Sequence, residues 1–179
     1  MVLSLTDEFR RIRRLRHDDV PQLMIWDNDP ALFHLTGKKF AHDEDETQWW
    51  NQLIRDRSRL MFAIVNDDGQ LIGDVELQQI LWRAREAEIR ISIGDKAFWA
   101  QGFGSEALQE MLYAAFQLLS LERVYLRVRL DNGRAIRAYE KVGFRAVARL
   151  TATGRLSGFP DLQLMEVTRA RYAPLSKRA

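Results

Sequence analysis

Hydrophobic and polar positions follow two different periods along this chain, and each change of period marks an element. Leu60–Val65 is an unbroken apolar run, and Leu71–Leu81 is a longer, mostly apolar one. Asn66-Asp67-Asp68-Gly69 lies between them and is rich in turn formers, so the three pieces predict a β-hairpin. Ala87, Ile89, Ile91 and Ile93 then alternate with Glu88, Arg90 and Ser92, as in a strand with one apolar face. From Ala107 the period becomes helical. Ala107, Leu108, Met111, Leu112, Ala115, Phe116 and Leu119 share one face of a helix predicted over residues 105–120. Residues 124–130 return to strict alternation, with Tyr125, Arg127 and Arg129 on the second face. A short helix over 134–142 and strands over 144–150 and 162–168 complete this half.

The first third is less periodic. Residues 10–15 read as a short strand, and Asp18 or Asp19 opens a helix that tolerates Pro21 in its first turn. That helix is expected to run to about Asp27 and to stop before Pro30. Residues 43–57 predict a second helix, acidic at its start and ending in Arg55 and Arg57, as the helix dipole favours. Strands in hairpins followed by a strand–helix–strand unit predict an α+β (mixed α/β) fold. Its core is a central twisted, mixed, mostly antiparallel sheet of about six or seven strands flanked by helices. No repeat or Pro/Gly/Ser linker interrupts the chain, so residues 1–172 read as a single domain followed by a short tail, 173–179.

Composition narrows the chemistry. With 46% hydrophobic and 29% charged residues, the 179-residue chain has the apolar content of a globular domain and not of a disordered one. The net charge of +2 is too small an excess to indicate a nucleic-acid partner. Arg10, Arg11, Arg13, Arg14 and Arg16 instead suit a charged strand at a sheet edge. The absence of cysteine excludes disulfides, thiolate metal sites and a cysteine nucleophile. His17, His34 and His42 lack metal-ligand spacing, so no metal is expected. No apolar run approaches the roughly 18 residues of a membrane helix, and the first residues lack a signal-peptide core. A cytoplasmic protein with no membrane partner is expected.

Two segments carry the candidate chemistry. Gln101-Gly102-Phe103-Gly104-Ser105 enters the long helix after a strand. Glycines allow a tight turn and close backbone approach, and the free amides of a helix start attract phosphate without a basic side chain. The segment lacks the Gly-Lys-Ser/Thr of a nucleoside triphosphate loop and the third glycine of a dinucleotide loop. Further on, Asp131 or Asn132 can cap the short helix, Gly143 can end it, and Ala135 and Tyr139 share one of its faces.

Together these segments resemble the GNAT superfamily of acyl-CoA-dependent N-acetyltransferases. The pattern is the Gly-x-Gly helix entry followed by Asn132-x-x-Ala135-x-x-x-Tyr139-Glu140-x-x-Gly143-Phe144, and the likeness spans Arg10 to about Thr168. Leu71-Ile72-Gly73-Asp74-Val75-Glu76-Leu77 and the run from Ala97 to Ala107 resemble the branch of ribosomal-protein N-terminal acetyltransferases and spermidine acetyltransferases. The resemblance implies a GNAT-like fold with acetyl-CoA as cosubstrate. The amides of Gln101, Gly102, Phe103, Gly104 and Ser105 would hold the CoA pyrophosphate, although Trp99 stands where many members carry Gln or Arg. Ile91, Ser92 and Ile93 would pair with the pantetheine amides, and Asn132 would contact the same arm. Tyr139 would lie near the thioester sulfur, and Lys141 or Arg137 would meet the adenosine phosphate.

Such a reaction is direct attack of an amine on the thioester. The ammonium must first lose a proton, and Tyr139 is the candidate donor to the departing thiolate. Glu76 and Glu88 lie on the polar faces of neighbouring strands, and the resemblance makes both candidates for binding the amine. Either Glu76 or Glu88 is also a candidate to relay the proton through water, and the alternative for both is a solvated strand face. Lys38 and Lys39 would repel a polycation, and the acids from Asp43 to Glu46, which could offset them, are of the kind a helix start carries for its dipole. The favoured acceptor is therefore a protein or peptide N-terminus. A polyamine or aminoglycoside is the alternative, and a non-catalytic CoA-binding sensor or scaffold is an alternative of another class. One ring of Trp49-Trp50 is expected on the sheet and the other in an acceptor groove. Edge strands or Leu162–Thr168 offer surfaces for a homodimer.

Overall fold

The computed structural model describes residues 9–36, 45–151 and 160–172. Among these, seven strands form one sheet: β1 (Ile12–Arg14), β2 (Leu60–Val65), β3 (Leu71–Leu81), β4 (Glu86–Ile93), β5 (Arg123–Arg129), β6 (Arg145–Leu150) and β7 (Leu162–Thr168). Their order across the sheet is β1-β2-β3-β4-β5-β7-β6. Every neighbouring pair is antiparallel except β4–β5, which is parallel. The α-helices are α1 (Val20–Asp27), α2 (Pro30–Thr36), α3 (Glu46–Arg55), α4 (Phe103–Tyr113) and α5 (Gly133–Lys141). The predicted α+β class and its mostly antiparallel mixed sheet are both present.

The β2–β3 hairpin closes where the turn residues stand. The Asn66 side chain accepts from the amides of Asp68 and Gln70 at 3.0 and 2.9 Å, and Gly69 takes a positive φ of 76°. One sheet face then meets α4 and α5. Phe62, Val75, Leu77, Ile89, Val124, Leu126 and Met165 bury against Leu108, Met111, Leu112 and Phe116 in the main core. The opposite face is covered over β2 and β3 by a smaller cluster of Val20, Leu23, Trp49, Leu53 and Met61. That double cover explains why Leu60–Val65 is continuously apolar where a half-exposed strand would alternate.

Several expectations change in the N-terminal third. α1 ends at Asp27, before Pro30, as expected, but Pro30 is itself the first residue of α2, a helix the sequence pattern does not predict. Proline suits that position because its missing N–H has no helical partner there, and Asp29 accepts from the Ala31 amide at 2.8 Å. The helix expected over 43–57 is observed as Glu46–Arg55, capped by Asp45, whose carboxylate accepts from the Gln48 amide at 2.9 Å. Lys38, Lys39, His42, Asp43, Glu44 and the tail from residue 173 lie outside the described residues.

In the later part, α4 continues into a π-helical turn, Ala114–Leu118. Leu162–Thr168 lies between β5 and β6 and has no free edge. The sheet edges are β1 and β6, so a pairing surface for a second chain does not lie on β7. The arginine-rich segment does form an edge. Arg10 pairs with Asp67 at 2.6 Å, and the Arg13 guanidinium donates to both oxygens of Asp19 at 2.8 Å.

Candidate active site

The site begins as a fork in the sheet. β4 and β5 pair only through Glu86↔Arg123, Ala87↔Val124 and Glu88↔Tyr125. Both strands continue past this point, to Ile93 and to Arg129. Beyond Glu88 they diverge and leave polar backbone along the open edge of β4. A cleft of about 220 Å³ fills the fork. Its walls include Ile91, Ser92 and Ile93 from β4, Gly102, Gly104 and Ser105 from the start of α4, and Asn132 and Tyr139 from α5. These residues were expected together on the cofactor side, and the fold brings them together.

The mouth is shaped by the glycine loop. Gly102 precedes α4 with φ 95°, a left-handed conformation that favours glycine. The first helical hydrogen bond runs from the Glu106 amide to the Gly102 carbonyl at 3.0 Å. The amides of Phe103, Gly104 and Ser105 are therefore not used by the helix, and they stand at its positive end. Phe103 turns its ring inward, edge-on to Phe98 at 5.4 Å and beneath the Arg11 guanidinium at 4.6 Å. The Gln101 side chain folds back to donate to the Ala97 carbonyl at 2.5 Å. Neither the Phe103 nor the Gln101 side chain forms a wall of the cleft.

Trp99 has a positive role. Its indole N–H donates to the Ile93 carbonyl at 2.8 Å, and the Arg134 guanidinium lies 4.5 Å over its ring. This stack joins the end of β4 to the start of α5 across the mouth. Arg134 lines the cleft, whereas Arg137 and Lys141 do not. The sequence reading missed Arg134. Its place in the first turn of α5, on the side of Asn132, was the available signal.

Asn132 caps α5, accepting from the Ala135 amide at 3.2 Å, and Asp131 pairs with Arg129 at 2.6 Å. One turn beyond Ala135, the Tyr139 ring packs edge-on to Phe144 at 5.9 Å. The half-buried Tyr139 lines the cleft, and burial pushes its phenol pKa up to about 12. It holds its proton at neutral pH and is available as a hydrogen-bond donor.

The predicted amine-binding acids sit differently. Glu76 and Glu88 are 1% and 3% exposed, so neither belongs to a solvated strand face. Glu76 accepts from Arg59 at 2.6 Å. Glu88 accepts two bonds from Arg127 at 2.8 and 2.7 Å and one from Gln78 at 2.9 Å. Neither carboxylate forms a wall of the cleft, whereas Arg127 and Arg90 do. Leu32, Leu35 and Thr36 of α2 close the same end. They went unread because the sequence pattern does not predict α2. Trp49 packs in the smaller core, as expected of one ring, but Trp50 stands edge-on to His17 at 5.6 Å and not on the cleft.

Among the described residues no group of histidines and acids could hold a metal, and no helix is long and apolar enough to cross a membrane. The family model "Acetyltransferase (GNAT) domain" matches residues 10–145, about three quarters of the chain. A spermidine N(1)-acetyltransferase of Vibrio cholerae is 29% identical over 133 residues, 74% of this chain and 76% of the relative. Its counterpart in Escherichia coli K12 is 27% identical over 135 residues, 75% of this chain and 72% of that one. The crystal structure of spermidine N-acetyltransferase from Vibrio cholerae in complex with CoA and spermine superposes with a TM-score of 0.79. It is 25% identical and covers 90% of this chain and 96% of its own.

Proposed function

From the premise that the chain belongs to the GNAT acetyltransferases and moves an acetyl group from acetyl-CoA to an amine, we propose that its acceptor is a small primary amine. The observation that carries the transfer is the β4–β5 fork, with free helix amides at its mouth and a protonated phenol inside. The small-molecule acceptor is supported by relatives named for spermidine, which favour it over the protein N-terminus expected from sequence. The basic pair behind that expectation, Lys38 and Lys39, lies outside the described residues.

In this reading the open edge of β4 at Ile91, Ser92 and Ile93 holds the pantetheine arm as an added strand. The α4 amides hold the pyrophosphate, Arg134 adds positive charge beside them, and Asn132 turns its remaining amide donors to the arm. The amine loses a proton to water and its lone pair attacks the thioester carbon. A C–N bond forms, the C–S bond breaks, and the electron pair leaves on sulfur. A phenol at about 12 lies well above a thiol at about 8.5, so full transfer to a free thiolate is uphill. Tyr139 therefore stabilises the developing negative charge on sulfur by a hydrogen bond. Glu88 acts by holding Arg127 on the cleft wall.

Thiol release from acetyl-CoA tests this reading without background, because the chain has no cysteine. Turnover with small primary amines well above the water-only rate is expected. Turnover confined to peptides beginning with Ala or Ser would overturn the small-amine acceptor.

A further inference from the structure

The acceptor end of the cleft has a charge pattern that does not suit a free polycation. Register places Glu76 opposite Arg90 and Gln78 opposite Glu88, with Tyr125 beside Glu88, all on the sheet face turned away from α4. Of the acids on this face, Glu76 and Glu88 already have guanidinium partners, Arg59 and Arg127. Arg90 is held differently. It donates to the Thr36 carbonyl at 3.1 Å and to the Gln78 side-chain oxygen at 3.5 Å, both neutral acceptors. Among the described residues no carboxylate pairs with it, and the cleft is lined by Arg90, Arg127 and Arg134 but by no Asp or Glu. Arg134 belongs to the cofactor end, on Trp99. Arg90 and Arg127 remain at the acceptor end, and Arg90 keeps N–H groups beyond the two that these neutral acceptors take. A partly buried guanidinium held only by neutral groups is a receptor for a carboxylate or phosphate.

We propose that the acceptor is a small amine bearing its own anionic group near the nucleophilic nitrogen, an α-amino acid being the simplest, and that Arg90 receives that anion. The proposal rests on the small-amine reading above and names the substrate class within it. Arg127, fixed and compensated by Glu88, lines the same end of the cleft. The anion is docked against Arg90 while the amine reaches the thioester. The products are the N-acetylated acid and CoA thiol, and one proton passes to water.

The test is thiol release by the full chain at saturating acetyl-CoA. L-amino acids are compared with their carboxamides, phosphoethanolamine with ethanolamine, and all of these with spermidine. Each anionic amine should exceed its neutral analogue in kcat/KM by about 10- to 100-fold, the effect of one charge-assisted hydrogen-bond pair. The carboxylate and phosphate pairs show which anion is read. Arg90→Gln should raise the acceptor KM, leave the acetyl-CoA KM unchanged and erase the acid-over-amide preference. Arg90→Lys should restore part of it. Equal or better turnover of the carboxamides or of spermidine overturns the proposal and leaves the small-amine reading standing. Turnover of peptides alone overturns that reading instead. Intact acetyl-CoA binding with no turnover of any anionic amine also overturns the proposal. If Arg90→Gln fails to fold, the acid-to-amide ratio of the unaltered chain decides.

Discussion

The two faces of the sheet make binding sites from the same strands in different ways. On the face turned to α4, side chains supply packing and the backbone supplies recognition. Ile91 and Ile93 join the main core while the open edge of β4 and the first amides of α4 are left for a ligand. On the opposite face, over β4 and β5, the recognition groups are charged side chains. Glu76, Glu88, Arg90 and Arg127 meet there, and what each can bind depends on which partner it already has. A backbone site offers amides more than side-chain identity, and Trp99 adds to it by holding Arg134 at the mouth. A charged site can reverse its preference when one guanidinium takes a different partner.

The sharpest break of this contrast is Tyr139→Phe. Loss of the phenol should lower kcat by about 100-fold or more with acetyl-CoA affinity retained, read by thiol release and by calorimetric titration with CoA. A parallel loss of CoA affinity would place Tyr139 in cofactor binding instead. Gly102→Ala probes the backbone site alone. No atom lies within 4 Å of the added methyl, so the cost is conformational, about 1–2 kcal/mol for an L-residue at φ 95°. The acetyl-CoA KM should rise by about tenfold, with the acceptor KM unchanged. Glu88→Gln probes the charged face. Arg127 loses its counter-charge at an already half-open site, so the acceptor KM should shift by about 2- to 5-fold while the acetyl-CoA KM holds.

The smallest effect is on stability at alkaline pH. The folded chain holds the Tyr139 proton up to about 12, whereas the unfolded chain releases it near 10. Folding stability therefore falls as pH rises from about 10 toward 12, because the unfolded state ionises first. Melting curves of the wild type and Tyr139→Phe should converge over that range. Parallel curves would mean that the phenol is solvated.

Much of the fold was legible because its signals are local. The turn residues from Asn66 to Gly69, the alternation from Ala87 to Ile93 and the helical period from Ala107 each reflect short-range geometry, and each element lies where it was expected. Pro30 marks the stop of α1 correctly but hides α2, because one residue type both stops helices and starts them. Only Asp29, capping from behind, separates the two cases. Trp50 misled because two adjacent residues of a helix point in different directions, and which one meets a groove is set by the packing of α3.

The candidate site divides along the same line. By itself the sequence determined the glycine entry to α4, the cap at Asn132 and the small-residue-then-Tyr139 spacing, because backbone conformation and one helix turn dictate them. Tertiary structure alone decided that β4 and β5 part after Glu88. It also decided that Arg59 and Arg127 reach Glu76 and Glu88 while Arg90 meets only neutral oxygens. Those contacts join residues 12 to 54 positions apart, across strands and from α2 to β4. Coulombic and hydrogen-bond partners over such separations depend on how whole elements dock, and no local period encodes that.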